Sequence, residues 1–300
     1  MRSVFIKQLH EAMRRDDKVF LLIGDTGFHL VEPLFEEFPD RTLNVGVAEQ
    51  NLIGISAGLC NAGFKPVCYA ISNFLVQRCF EQIRNDLCLH NYPVVLAGTS
   101  AGFDNGALWA THYIVDDIGC LKPLPKMKIY SPSSIEAMHA VCRELFAFSG
   151  PAYMRIAKSK FSEGKDASNI NRFVLETPES EILVVAHGKM VKNAIDAAAL
   201  AKNFSVFAMD RIKPVDTGVL DGFAGKYKKI VVVEDNFKSG LYNSICQFLA
   251  ERNAPNPKIY FIGPAEEYEK HTGDPKYLEE KYGLAPAQIN AFIKKISAAE

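Results

Sequence analysis

The sequence predicts an α/β protein of two doubly wound domains built on mainly parallel sheets. Three observations carry this. Apolar runs of strand length alternate with helical patterns through both halves of the chain. The runs are apolar throughout, as strands covered on both faces require. Finally, 300 residues suffice for two domains of ordinary size, and a polar stretch at 158–169 interrupts the alternation near the middle.

In chain order, Val4, Phe5, Leu9, Ala12 and Met13 share one side of a first amphipathic helix. Strands are expected at 19–24, 42–47, 66–71, 93–98, 127–131 and 152–156. A small-residue helix is expected at 48–63 and a second helix at 72–87. After the polar stretch the alternation resumes with strands at 181–186, 204–209, 229–234 and 258–262. The expected organisation is therefore a domain over 1–158, a connection over 159–180 and a second domain over 181–300.

Composition narrows the function classes. A formal net charge of −1, with no run of Lys or Arg, supplies no footprint for nucleic acid or an anionic membrane. No apolar stretch has the length of a membrane span, and the first residues lack a signal-peptide core. The seven cysteines form no C-x-x-C pair and sit in apolar runs, which suits reduced core thiols of a cytoplasmic protein. No metal-ligand motif, phosphate loop, dinucleotide fingerprint or serine-hydrolase elbow occurs.

Ligands of open α/β sheets gather beyond the carboxyl ends of strands. Three polar segments are expected there: Gly24-Asp25-Thr26-Gly27-Phe28-His29, Gly46 to Glu49, and a glycine-rich loop from Gly98 through Ser100 and Trp109 to His112. Glu49 stands where an apolar run gives way to helix. The turns after it, Leu52 to Leu59, offer no complementary charge. A carboxylate there either hydrogen-bonds a specific partner, holds a proton, or complements the helix dipole. Phe74 follows the 66–71 strand, where its ring can stack on a planar heterocycle or join the core. His112 and Trp109 likewise admit a functional or a packing role.

These segments together resemble the transketolase family. Phe38-Pro39-Asp40-Arg41, Asn44-Val45-Gly46-Val47-Ala48-Glu49-Gln50-Asn51, Phe80-Glu81-Gln82-Ile83-Arg84-Asn85-Asp86, Thr111-His112 and Pro151-Ala152-Tyr153-Met154-Arg155 are similar to its pyrimidine-binding domain. Ile212-Lys213-Pro214, Val233-Glu234-Asp235 and Tyr282-Gly283-Leu284 are similar to its C-terminal domain. The resemblance implies dependence on thiamine diphosphate and Mg²⁺. It implies that Glu49 hydrogen-bonds the aminopyrimidine ring nitrogen and so promotes loss of the thiazolium C2 proton, with Phe74 stacking on that ring. Ile71 and Gln77 are expected to bind the cofactor together with Phe74, and Asp25 and Thr26 to bind it beside the thiazolium. His112 is expected to handle protons or touch substrate. Arg155 is expected to grip a substrate phosphate, with a structural ion pair as the alternative. His29, Ser100 and Trp109 are expected to contact substrate.

Two departures from the family pattern matter. Ser100 stands near a family histidine, and Gly106-Ala107-Leu108-Trp109-Ala110 replaces a segment with an acidic residue. Both make the expected pocket less polar. The family's G-D-G motif, which binds diphosphate and metal, is not found; Gly24-Asp25-Thr26-Gly27 is a different sequence. The expectation is a half-enzyme completed by a separately encoded subunit that holds most of the Mg²⁺ and diphosphate contacts, in an α2β2 assembly. The expected reaction is transfer of a two-carbon ketol unit from a sugar or keto donor to an aldehyde. Enzymes of the 2-oxoacid dehydrogenase β-subunit or deoxyxylulose-phosphate synthase type, and a non-catalytic partner subunit, are the alternatives.

Overall fold

The computed structural model describes residues 1–164, 169–252 and 255–298. The expected connection falls partly on 165–168, which lie outside the described residues. Twelve strands are formed among the described residues: β1 (Val19–Ile23), β2 (Thr42–Asn44), β3 (Lys65–Ile71), β4 (Val95–Thr99), β5 (Lys128–Tyr130), β6 (Ala152–Ile156), β7 (Asn171–Leu175), β8 (Ile182–Ala186), β9 (Ser205–Met209), β10 (Arg211–Lys213), β11 (Lys229–Val233) and β12 (Lys258–Ile262). They make two α/β layers, a seven-stranded sheet of order β10-β5-β6-β4-β3-β1-β2 and a five-stranded sheet of order β12-β11-β8-β9-β7.

Each sheet is parallel except at one edge, where β10 pairs antiparallel with β5 and β7 antiparallel with β9. Neither edge strand was expected. β7 lies within the stretch expected as a connection, and its five residues are only half-buried, so it lacks the apolar run that marks a central strand. β10 comes from the second half of the sequence yet closes the first sheet, with Arg211 opposite Tyr130.

Two other differences have local causes. β2 stops at Asn44, short of the expected 47, because the Asn44 side-chain oxygen accepts from the Asp25 and Gly46 amides and Gly46 turns with φ 73°. The helix expected over 72–87 is broken. An α-helical turn covers Ser72–Gln77, and after Arg78 and Cys79 the chain continues through Phe80–Gln82 into a π-helical turn, Ile83–Cys88. Such wide turns are rare and concentrate at functional sites.

The Arg2–Arg15 helix buries Phe5, Ile6, Leu9, Ala12 and Met13. One apolar core runs from Leu22 and Ile53 through Ile118, Leu121 and Ile129 into Leu183, Phe207 and Ile230, so the two halves are welded rather than tethered. All seven cysteines are free thiols; burial pushes the Cys79 thiol up to about 12, which leaves it inert at neutral pH. No helix among the described residues is long and apolar enough to cross a membrane.

Candidate active site

The carboxyl ends of β1, β3 and β4 converge, and most of the expected site residues emerge there. Glu49 opens the Glu49–Asn61 helix, which connects β2 to β3 and packs mainly against β3. Its side chain is 3% exposed. It lies against Gly24 at the end of β1: a Cβ built on Gly24 would be 3.6 Å from Glu49 Cγ and 3.7 Å from Oε1. The partner that its own helix does not supply is Arg78, whose Nη1 donates to Glu49 Oε2 at 3.0 Å.

Phe74 is half-buried one helical turn before Arg78, and the Arg78 Cζ lies 3.8 Å from the centre of its ring. His112 meets Phe74 edge-on, with ring centres 5.1 Å apart at 70°. The Thr111 hydroxyl donates to the Leu108 carbonyl at 3.3 Å and contacts His112 Nδ1 at 2.9 Å. The Asn73 amide donates to the Thr111 carbonyl at 2.6 Å, tying the Phe74 helix to the His112 loop. Glu49, Phe74, Arg78 and His112 therefore form one linked cluster.

Gln77 and Trp109 belong to an adjoining cavity of about 410 Å³, shared with Asn73, Tyr113, Asp116 and Tyr268. The Gln77 amide donates to Asp116 Oδ1 at 2.9 Å and the Tyr268 hydroxyl to Asp116 Oδ2 at 2.8 Å. Burial raises the Asp116 carboxyl above the usual range despite these donors. Trp109 has left-handed backbone, φ 69°, and its indole N–H donates to the Glu269 carbonyl at 3.0 Å. Ile71 ends β3, immediately before the Phe74 helix.

Asp25, Thr26 and His29 lie on the turn after β1. Asp25 and Asn44 hold each other through two hydrogen bonds, and the His29 amide donates to Glu32. No hydrogen bond or ring contact among the described residues links these three to Phe74 or His112. Ser100 follows β4 in left-handed backbone, φ 59°, and is 4% exposed.

Arg155 corrects the expectation of a phosphate grip. It is 2% exposed; Nε donates to Asp117 Oδ2 at 2.8 Å, and Nη1 to Asp235 Oδ1 at 2.9 Å. Tyr153 and Asn236 complete the Asp117 shell at 2.7 and 2.6 Å. A guanidinium sealed between two carboxylates clamps β6 to the second half of the chain and has no access to substrate. The structural ion pair, left open by the sequence, is the arrangement found. Sequence reasoning also missed Arg78, although a cation four residues after an aromatic on a helix is a recognisable spacing.

The model of the transketolase pyrimidine-binding domain matches residues 1–163, and that of the transketolase C-terminal domain matches 172–289. An apulose-4-phosphate transketolase subunit of Actinobacillus succinogenes is 29% identical over 299 residues, covering 95% of this chain and 94% of that protein. A 1-deoxy-D-xylulose-5-phosphate synthase of Clostridium perfringens is 31% identical over 296 residues, 94% of this chain but 47% of the synthase, so the chain spans about half of that relative. A solved split-gene transketolase, an inactive β4 tetramer, superposes with TM-score 0.85 at 28% identity, covering 98% of this chain and 97% of the other. The transketolase of Campylobacter jejuni shares the fold, with TM-score 0.80 at 14% identity over 98% of this chain and 46% of its own. The chain belongs to the transketolase family, as one of split-transketolase type carrying the pyrimidine-binding and C-terminal domains.

Proposed function

We propose that the chain is the C-terminal subunit of a split, thiamine diphosphate-dependent transketolase-like enzyme that moves a two-carbon ketol unit from a ketose-type donor to an aldehyde. The observation that carries this is the cluster of buried Glu49, half-buried Phe74 and His112 at the carboxyl ends of one sheet in a transketolase-family chain. The residues suit the cofactor: an aromatic face that already stacks a planar group has a buried carboxylate at its edge. Bound thiamine diphosphate supplies a heterocycle able to stabilise a carbanion. Glu49 holds a proton or hydrogen bond at a ring nitrogen; its burial strengthens that contact by excluding water. Phe74 fixes the plane of the ring. His112 takes or returns a proton at a substrate oxygen, its ring held at Nδ1 by the Thr111 hydroxyl.

The diphosphate and Mg²⁺ contacts are assigned mainly to a separately encoded N-terminal subunit in an α2β2 assembly, placed in the cytoplasm. Two relatives of matching length, one a transketolase subunit and the other the product of a split gene, support this pairing. The cavity beside His112 presents Asp116 and aromatic rings, which favours hydroxyl-bearing ends of a substrate over a phosphate. A second reading, a deoxyxylulose-phosphate synthase-like enzyme, is supported by the 31% identity to the 1-deoxy-D-xylulose-5-phosphate synthase of Clostridium perfringens.

The test is reconstitution with the partner subunit, titration of thiamine diphosphate and Mg²⁺ by circular dichroism, and turnover on a panel of phosphorylated and unphosphorylated ketoses. Glu49→Gln should keep the unfolding temperature and lose turnover by about 10²–10⁴-fold. Near-normal turnover contradicts the assignment. Formation of 1-deoxy-D-xylulose 5-phosphate would select the synthase reading. Strong activity on xylulose 5-phosphate would contradict the account of the less polar pocket.

A further inference from the structure

We propose that Arg78 is a built-in stand-in for the cofactor's aminopyrimidine ring, occupying its place on Phe74 and its hydrogen bond on Glu49 until the ring arrives. The inference rests on the thiamine diphosphate reading above. A guanidinium is a flat, delocalised group with N–H donors along its edge. Here its centre stacks 3.8 Å from the Phe74 ring centre while one edge nitrogen reaches Glu49 Oε2 at 3.0 Å. A heterocycle held by the same two residues needs the same two contacts. His112 already stands edge-on to Phe74, so the stacked face of that ring is the contested place.

The asymmetry of burial shows which partner moves. Glu49 is 3% exposed and fixed at the start of a helix, whereas the Arg78 side chain is 45% exposed at the end of the short Ser72–Gln77 helix. Leaving Glu49 buried and unpaired costs free energy, and Arg78 removes that cost in the cofactor-free chain. On cofactor entry both contacts pass to the incoming ring, and the guanidinium turns into solvent at little cost to its hydration. Cofactor binding is then an exchange, weaker and slower than the contacts of the ring alone would give.

Two measurements test this. In the cofactor-free chain, phenylglyoxal modification of Arg78, followed by peptide mass spectrometry, should be several-fold slower in the wild type than in Glu49→Gln or Phe74→Ala. Equal rates overturn the proposal. In the complex with the partner subunit and Mg²⁺, circular-dichroism titration should show Arg78→Ala binding thiamine diphosphate roughly tenfold more tightly than wild type, and faster. Unchanged or weaker binding overturns the stand-in role and leaves the cofactor reading intact. Binding by neither protein overturns the cofactor reading and the stand-in role with it.

Discussion

Glu49 and Arg155 are both buried charges in the first half of the chain, and their partners set their uses. Glu49 pairs with a side chain that is nearly half exposed and can leave. Arg155 pairs with Asp117, 0% exposed, and Asp235, 5% exposed, which cannot. Burial alone would raise the Asp235 carboxyl, but Arg155 and then His187 more than offset it and hold it below the usual range. Replacing Arg155 by Met strands two buried carboxylates and should cost about 3–5 kcal/mol of stability, read from urea denaturation. A loss below about 1 kcal/mol would mean that the clamp contributes little. Glu49 was legible because one acidic residue interrupts an apolar boundary. The fate of Arg155 was not, because an arginine at the end of a strand reads the same whether it faces a cleft or a carboxylate.

Among the elements, the loop from Ser100 to Val115 depends most on its surroundings. It is held from the second half of the chain: the Trp109 indole donates to Glu269, the Phe237 amide to Val115, and the Glu269 amide to the Tyr113 hydroxyl. Gly102 is where that grip is closest. Its φ is +59°, and a Cβ there would lie 1.8 Å from Asp235 Oδ2. Gly102→Ala should therefore destabilise the protein by about 1–3 kcal/mol and raise hydrogen exchange along the loop. Wild-type exchange in that variant would show that Asp235 yields without disturbing the loop. The loop's glycines announced an irregular segment in the sequence, but nothing local announced that the C-terminal half shapes it. The break after Gln77 in the expected long helix was equally hidden, since apolar periodicity continues across it.

For the whole molecule, the decisive feature is the edge strand β10, which the second half of the chain donates to the first sheet. The chain leaves the second sheet at Met209 and enters the first at Arg211, with Asp210 between them. The Asp210 carbonyl accepts from the Ser131 amide at 2.7 Å, and its carboxylate takes Arg172 Nη1 at 2.6 Å. Burial outweighs that guanidinium and pushes the carboxyl up to about 6. In the unfolded chain the same group titrates near about 3.9, so the folded protein holds this proton more tightly. Its contribution to stability is complete below about pH 4 and is lost as pH rises through about 6. Urea midpoints of wild type and Asp210→Asn, measured from pH 4 to 7.5, should show the wild type losing ground to the variant as pH rises. A gap moving the other way would contradict this sign.

The sequence by itself determined the alternation of strands and helices, the two α/β halves, and the acidic residue at a strand-to-helix boundary, because these are written in patterns a few residues long. Only the tertiary structure decided which charges are committed and which can be released. Arg78 finds Glu49 across 29 positions, and Arg155 finds Asp117 across 38 and Asp235 across 80. Contacts at such separations depend on where the sheets bring the chain back, and no local pattern encodes them.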